Sequence, residues 1–216
     1  MDLDPRSLEV YVVTSADLAG RDHGDVASAA LEGGAGALQL RAPELDDRAL
    51  LPLAADLAAR CRVAGVLFVV NDRVDVALSS GADGVHVGQD EDAGGVRQWL
   101  GPDRVLGVSV GSAAEARVAQ GAGADYLGVT VWATPTKPEA RPGGLEGVRE
   151  VVAATPLPVV GIGGIGPENA EQVLAAGAVG VAVISAVAAA DDPVDAVREL
   201  RRTVEAFRTA GTGARG

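Results

Sequence analysis

The chain has a single cysteine and far fewer basic than acidic side chains. Cys61 alone can form no internal disulfide and no multi-cysteine metal site. The 18 basic residues stand against 30 acidic ones, and the net charge of −12 gives little attraction for a nucleic-acid backbone or an anionic membrane. We therefore expect no nucleic-acid partner and no membrane partner, and the single thiol fits a reducing compartment.

The sequence also leads us to expect no export signal and no membrane span. Its first residues are acidic where a signal peptide is basic, so we expect a cytoplasmic protein. One uncharged stretch, 173–190, only reaches the lower length limit of a bilayer span. It is alanine-rich, is interrupted by Gly177 and Gly180, and is followed by Asp191 and Asp192. A buried helix, turn and strand explain it better.

What the chain does contain is a regular alternation of two segment types. Short Val-, Leu- and Ile-rich runs of strand length alternate with segments of helical period over 216 residues, the length of one domain. Eight such runs are present, at 8–14, 37–41, 67–71, 84–87, 105–110, 126–131, 159–162 and 180–185. This count predicts an α/β protein with a single closed (β/α)8 TIM barrel over 1–208, with an open doubly wound sheet as the alternative. The Gly- and Ala-rich end, 209–216, is expected to be a disordered tail.

Acidic side chains follow the third and fourth predicted strands, at the end where a barrel carries its reactive residues. The third strand runs into Asn71 and Asp72, and the fourth runs into Asp90, Glu91 and Asp92. Because these strands are neighbours, we expect the carboxylates to converge, and oxygen ligands without nearby His or Cys favour Mg²⁺. The same residues could instead be a helix cap and an acidic first helical turn.

Two later segments are typical of phosphate binding. The glycine run 161–166 lies between a strand and a helix, and its late position favours the phosphate cradle of a barrel over a dinucleotide site. Plain tight turns would also explain these glycines. Lys137, the only lysine, lies in a long proline-containing loop beside Thr134 and Thr136, where it is either a ligand-binding residue or an ordinary exposed one.

The two histidines are not predicted to act as catalysts. His86 lies within a predicted strand and is expected to pack in the core, and His23 precedes a helix with no apparent partner.

The segments that carry these features occur in one characteristic order. They are QLR (39–41), VVNDRVDVAL (69–78), ADGVHVGQDE (82–91), GVS (107–109), ADYLGV (124–129), TPTK (134–137), VVGIGGIGPENA (159–170) and GVAVISAV (180–187). Together they cover most of the chain, from about 37 to 193, and resemble the thiamine phosphate synthase family.

The resemblance implies a TIM-barrel transferase that uses Mg²⁺ and small phosphorylated substrates. It would join a hydroxymethylpyrimidine diphosphate to a hydroxyethylthiazole phosphate, giving thiamine phosphate and pyrophosphate. By position in the motifs, the pyrimidine diphosphate would be held by Gln39, Leu40, Arg41, Asn71, Ser109 and Lys137. The thiazole phosphate would be held by Thr134, Pro135, Thr136, Gly164, Ile184 and Ser185, and the metal by Asp72 and Glu91. The same likeness makes Arg41, Ser109 and Lys137 the catalytic residues.

The chain departs from the family pattern at several positions. Ala42 and Pro43 stand where an acidic residue and a lysine are usual, which removes one diphosphate contact, and the acidic order at 90–91 is changed. Two alternative functions therefore stay open. One is a thiazole tautomerase, for which a histidine is expected at the position of Gly111. The other is a non-catalytic paralogue that binds a thiamine precursor. A homo-oligomer is compatible with the sequence.

Overall fold

Eight parallel strands close into a barrel in the computed structural model, which describes residues 3–16, 18–133 and 142–213. Each strand pairs with the next in the chain, and the last pairs with the first. The strands are β1 (Val10–Val13), β2 (Ala37–Leu40), β3 (Leu67–Asn71), β4 (Gly84–Val87), β5 (Val105–Ser109), β6 (Tyr126–Thr130), β7 (Val159–Ile162) and β8 (Gly180–Val183). The predicted closed barrel is confirmed, and the open sheet is excluded.

Helices follow the strands and cover the outside of the barrel. They are α1 (His23–Gly33), α2 (Asp47–Ala64), α3 (Val74–Ser80), α4 (Ala93–Leu100), α5 (Ala113–Gly121), α6 (Gly144–Ala154), α7 (Ala170–Ala175), α8 (Ser185–Ala188) and α9 (Pro193–Gly213). A short 3₁₀ helix, Pro5–Leu8, precedes β1. The sequence did not predict α8, because four residues are too few to show a helical period.

The end of the chain differs from its prediction. Helix α9 continues to Gly213, so the backbone of 209–213 is helical where a disordered tail was expected. The hydroxyl of Thr209 donates to the carbonyl of Glu205 at 2.8 Å, and Arg208 donates to the carbonyl of Val179 at 2.8 Å. These contacts tie the last turns of α9 to the helix itself and to the barrel, which the composition alone did not indicate.

The strands separate two apolar layers. In β1, Val10 and Val12 face the outer layer between barrel and helices, and Tyr11 and Val13 face the barrel interior. This alternation follows from the two-residue period of a strand, and both faces are buried because helices cover the outside. Leu8 is fully buried and packs into the interior layer from the amino-terminal side.

The uncharged stretch 173–190 folds as the end of α7, the strand β8 and the helix α8. The predicted arrangement of helix, turn and strand is therefore confirmed. Across the described ranges, no helix combines the length and the apolar character needed to cross a bilayer.

Candidate active site

A cavity opens at the carboxyl ends of the strands, and every strand contributes to its lining. Eight of the residues predicted from the sequence line it: Gln39, Arg41, Asn71, Asp72, Ser109, Gly164, Ile184 and Ser185. Residues far apart in the chain thus meet in one place, as expected at this end of a barrel.

Hydrogen bonds link five polar side chains across the floor of the cavity. The Gln39 amide donates to the Tyr11 hydroxyl at 2.6 Å, and the hydroxyls of Tyr11 and Tyr126 lie 2.9 Å apart. The Tyr126 hydroxyl lies 2.9 Å from Nδ1 of His86, and Nε2 of the same imidazole lies 3.0 Å from the hydroxyl of Ser109. We call these five residues the floor network. They come from five different strands, so the network fixes polar groups around much of the ring.

Burial keeps the two tyrosines of the floor network protonated. It raises the pKa of both Tyr11 and Tyr126 above the ordinary value, and the neighbouring Tyr11 raises that of Tyr126 further. Their rings meet edge to face, with centroids 6.1 Å apart. Space for this pair is left by Gly107, because a Cβ there would collide with the phenol of Tyr126 and lie 2.5 Å from Nδ1 of His86. Each hydroxyl therefore stays a neutral donor and acceptor.

The expectation that His86 packs in the core is wrong. It lines the cavity, whereas its neighbours Val85 and Val87 lie in the outer apolar layer. The difference is strand alternation: His86 points to the interior and the two valines point to the helices. The sequence interpretation also missed Tyr11 and Tyr126, and the same inward register would have found all three.

One side of the cavity is formed by Arg41, Asn71 and Asp72, which lie at the ends of β2 and β3. Asp72 has a left-handed backbone, with φ of 60°, which a residue with a side chain adopts rarely. Its N–H donates to the carbonyl of His86 at 2.8 Å, and its carboxylate accepts from the Asn71 amide. Strained backbone of this kind is concentrated at functional sites.

The two predicted metal ligands, Asp72 and Glu91, differ in their surroundings. Asp72 lines the cavity, but Glu91 is exposed and lies outside the lining, in the turn that precedes α4. Within the ranges described, no three His, Cys, Asp or Glu side chains form a group that could hold a metal. The strand order was predicted correctly, but the fourth loop directs its acidic residues to solvent. The donor set that remains, Asp72 beside the Asn71 amide, suits Mg²⁺, which takes one or two carboxylates and completes its shell with water and substrate phosphate.

The side of the cavity beyond β7 and β8 exposes bare backbone. Gly163 and Gly164 have φ of 93° and 63°. A Cβ added to Gly163 would lie 2.7 Å from the carbonyl oxygen of Trp132, and a Cβ added to Gly164 would lie 3.2 Å from the Cβ of Trp132. Asn169 holds the turn, accepting from the N–H of Gly166 at 3.0 Å and donating to the carbonyl of Gly164 at 2.9 Å. This geometry is suited to a phosphate group, which backbone N–H groups can bind.

Of the other predicted substrate-binding residues, Leu40 is the one that the structure describes, and it does not line this cavity. The Leu40 side chain packs in the outer apolar layer, because its neighbour Gln39 takes the inward position. Thr134, Pro135, Thr136 and Lys137 lie outside the described residues. Their binding roles stay predictions.

The closed barrel of eight parallel strands is a TIM barrel. Its mouth presents an arginine on one side and bare glycine backbone on another, which is typical of TIM-barrel enzymes that act on phosphorylated small molecules. The family model of thiamine monophosphate synthase matches residues 10–187. The chain belongs to the thiamine monophosphate synthase family.

Named relatives agree with this assignment. A thiamine-phosphate synthase from Moorella thermoacetica is 49% identical over 204 residues, which cover 93% of this chain and 97% of that protein. A second one, from Roseiflexus sp., is 50% identical over 90% of this chain and 84% of that protein. The solved structure of thiamine phosphate pyrophosphorylase from Pyrococcus furiosus superimposes with a TM-score of 0.87 at 41% identity, covering 94% of this chain and 98% of that one.

Proposed function

We propose that this protein is a transferase of thiamine biosynthesis that condenses hydroxymethylpyrimidine diphosphate with hydroxyethylthiazole phosphate, releasing pyrophosphate. Two relatives that are about half identical to this chain are named thiamine-phosphate synthase, and the similarity covers most of the length of each. The fold and the position of the cavity agree with this function.

The observation that carries the proposal is that two separate sides of one cavity carry groups suited to phosphates, an arginine beside a predicted metal ligand on one side and bare backbone on the other. Arg41, Asn71 and Asp72 lie at the ends of β2 and β3, while Gly163–Ile165 and Ile184–Ser185 follow β7 and β8. The floor network lies between them. Two phosphorylated substrates can therefore occupy one cavity with their rings adjacent, which a condensation requires.

The reaction breaks the bond between the pyrimidine methylene carbon and the diphosphate oxygen. That oxygen keeps the bonding electron pair and leaves with pyrophosphate, and the thiazole nitrogen then donates its lone pair to the methylene carbon. Arg41, together with Lys137 as the resemblance implies, would stabilise the charge that grows on the leaving group. The chemistry needs no protein nucleophile. The neutral floor network would orient the pyrimidine ring by hydrogen bonds without competing for the carbocation.

Asp72 would hold Mg²⁺ together with diphosphate oxygens, and the ion supplies positive charge to the leaving group. The carboxylate suits this role because it lines the cavity on the same side as Arg41. Glu91 stays a predicted second ligand. We also propose a cytoplasmic location, which the buried free thiol of Cys61 supports.

The test is an assay with both substrates and Mg²⁺, measuring thiamine phosphate and pyrophosphate. Arg41→Ala and Lys137→Ala should each lower turnover at least tenfold, about 1.4 kcal/mol of barrier. Arg149→Ala serves as the control, because that arginine is exposed on α6 and pairs only with Glu146 at 3.0 Å among the ion pairs described. Binding of both substrates without product would instead indicate the non-catalytic paralogue.

A second assay, with a thiazole carboxylate phosphate as the only substrate, separates the tautomerase. That activity would convert a thiazole carboxylate phosphate alone, without a pyrimidine substrate. The position expected to carry its histidine is Gly111, whose N–H donates to the Glu115 carboxylate at 2.7 Å. This residue lies outside the cavity lining and has no side chain to move a proton.

A further inference from the structure

A second polar chain lies directly behind Arg41, outside the cavity lining. Nδ1 of His23 lies 2.8 Å from the hydroxyl of Thr14, and Nε2 lies 2.6 Å from the carboxylate of Glu44. The histidine side chain is 4% exposed and the threonine is fully buried. The Thr14 hydroxyl also accepts from the backbone N–H of Arg41 at 3.2 Å. The histidine for which the sequence indicated no partner therefore has two.

These bonds form one consistently directed chain when the imidazole is neutral and carries its proton on Nε2. The Arg41 N–H donates to Thr14, the Thr14 hydroxyl donates to Nδ1 of His23, and Nε2–H donates to Glu44. Every donor and acceptor in the chain is then satisfied. The N–H of Thr14 also donates to the carbonyl of Gln39 at 2.8 Å, so the end of β1 holds the backbone on both sides of Leu40.

A turn in the loop after β2 brings Glu44 to the histidine. The N–H of Leu45 donates to the carbonyl of Ala42 at 3.2 Å, which places Pro43 at the second position of a four-residue turn. Proline favours that position because its ring fixes φ. Glu44 follows it and meets a histidine 21 residues earlier in the chain.

The Glu44 carboxylate is electrostatically coupled to the arginine. Its pKa is lowered from the ordinary value: partial burial acts to raise it, but the hydrogen bond from His23, a hydrogen bond from the Glu44 backbone and the nearby positive charge of Arg41 outweigh that effect. The histidine is itself fixed, since it is the first residue of α1. Asp22 and Asp25 close the start of that helix with reciprocal hydrogen bonds of 2.8 and 3.2 Å.

We infer that His23 is a positioning residue, which acts with Thr14 and Glu44 to hold the Arg41 backbone and its loop in the shape that binds a diphosphate. These hydrogen bonds join the end of β1 and the start of α1 to the loop after β2, next to Arg41, which lines the cavity. Preforming this loop lowers the ordering cost of binding. The inference rests on the proposed function for the identity of the substrate, but its central test uses inorganic pyrophosphate alone.

The test is calorimetric binding of pyrophosphate, with Mg²⁺ present, to variants of Glu44. If charge alone mattered, Glu44→Ala would bind pyrophosphate more tightly, because it removes a negative charge near Arg41. If Glu44 instead positions the loop, Glu44→Ala should lower the affinity for pyrophosphate about tenfold, because the buried Nε2–H of His23 loses its acceptor. Glu44→Gln keeps an acceptor oxygen and should bind at least as well as the wild type. Glu205→Ala removes an exposed carboxylate 2.7 Å from Arg201 on α9 and is the matched control.

Thr14→Val and Thr14→Ser provide a second pair, differing in the hydroxyl that accepts from Arg41. Thr14→Val should weaken pyrophosphate binding about tenfold and Thr14→Ser should not. In the full reaction, Glu44→Ala and Thr14→Val should raise the KM for the pyrimidine diphosphate and leave the KM for the thiazole phosphate unchanged. Equal binding by all variants, tighter binding by Glu44→Ala, or an equal rise of both KM values would overturn the inference. A wild type that binds pyrophosphate but forms no thiamine phosphate would refute the proposed function alone.

Discussion

Replacing Tyr126 with Phe removes one oxygen atom from the centre of the floor network. Its hydroxyl contacts Tyr11 at 2.9 Å and Nδ1 of His86 at 2.9 Å, and its ring is fully buried. The variant loses two buried hydrogen bonds and leaves their partners in place, with no change in ring volume. A neutral bond contributes about 1 kcal/mol and a stranded buried partner costs about 1–3 kcal/mol, so we expect a loss of about 2 kcal/mol.

Urea unfolding followed by circular dichroism measures this loss, and the melting temperature should fall by about 4–8 °C for a domain of this length. Tyr11→Phe and the double variant complete a thermodynamic cycle. Because the two hydroxyls share one bond, the double variant should cost about 1 kcal/mol less than the sum of the single ones. A Tyr126→Phe protein as stable as the wild type, with additive cycles, would refute the network as a stabilising unit.

Three further variants or conditions test the packing and the titrating groups. Gly107→Ala should lose about 1–3 kcal/mol of unfolding free energy, because its Cβ collides with the floor network. Gly121→Ala, where no atom lies within 4 Å of the added Cβ, should be neutral or slightly stabilising in the same urea titration. Burial raises the pKa of the Cys61 thiol to about 12, so a thiol reagent at pH 8 should leave the folded protein unmodified and react fully in urea; rapid labelling of the folded protein would contradict this. The pKa values of Glu44 and Asp75 are lowered, Asp75 chiefly by its hydrogen bond with Arg73, so their stabilising effect is present above the ordinary carboxyl pKa and is lost as pH falls through the lowered values. The unfolding free energies of the wild type and of the double variant Glu44→Gln/Asp75→Asn should therefore converge towards pH 3. A difference that stays constant with pH would contradict the lowered pKa values of these two carboxyl groups.

The strands and the location of the cavity could be predicted because they depend on local patterns. Eight apolar runs fix the barrel, and the residues that follow β2, β3, β7 and β8 must meet at its carboxyl end. The glycines at 163–164 were predictable in the same way, since a strand followed by bare backbone and a helix is a local signal.

The floor network was harder to predict because both faces of a barrel strand are buried. Tyr11 lies between two valines and Tyr126 is followed by a leucine, and without the register of the closed barrel either face could be the inner one. The direction of loops was harder still. Asp72 lines the cavity and has a left-handed backbone, which the sequence pattern does not predict, whereas Glu91 is exposed to solvent. The contact between His23 and Glu44 depends on a turn and a helix start that meet only in the folded chain.

The most direct measurement of the two-sided cavity is a crystal structure with thiamine phosphate and pyrophosphate bound together with Mg²⁺. We expect the pyrophosphate beside Arg41, Asn71 and Asp72, the phosphate of thiamine phosphate against the backbone of Gly163–Gly164 and Ser185, and the pyrimidine ring over the floor network. Both anions on the same side of the cavity, or either one outside it, would contradict the account.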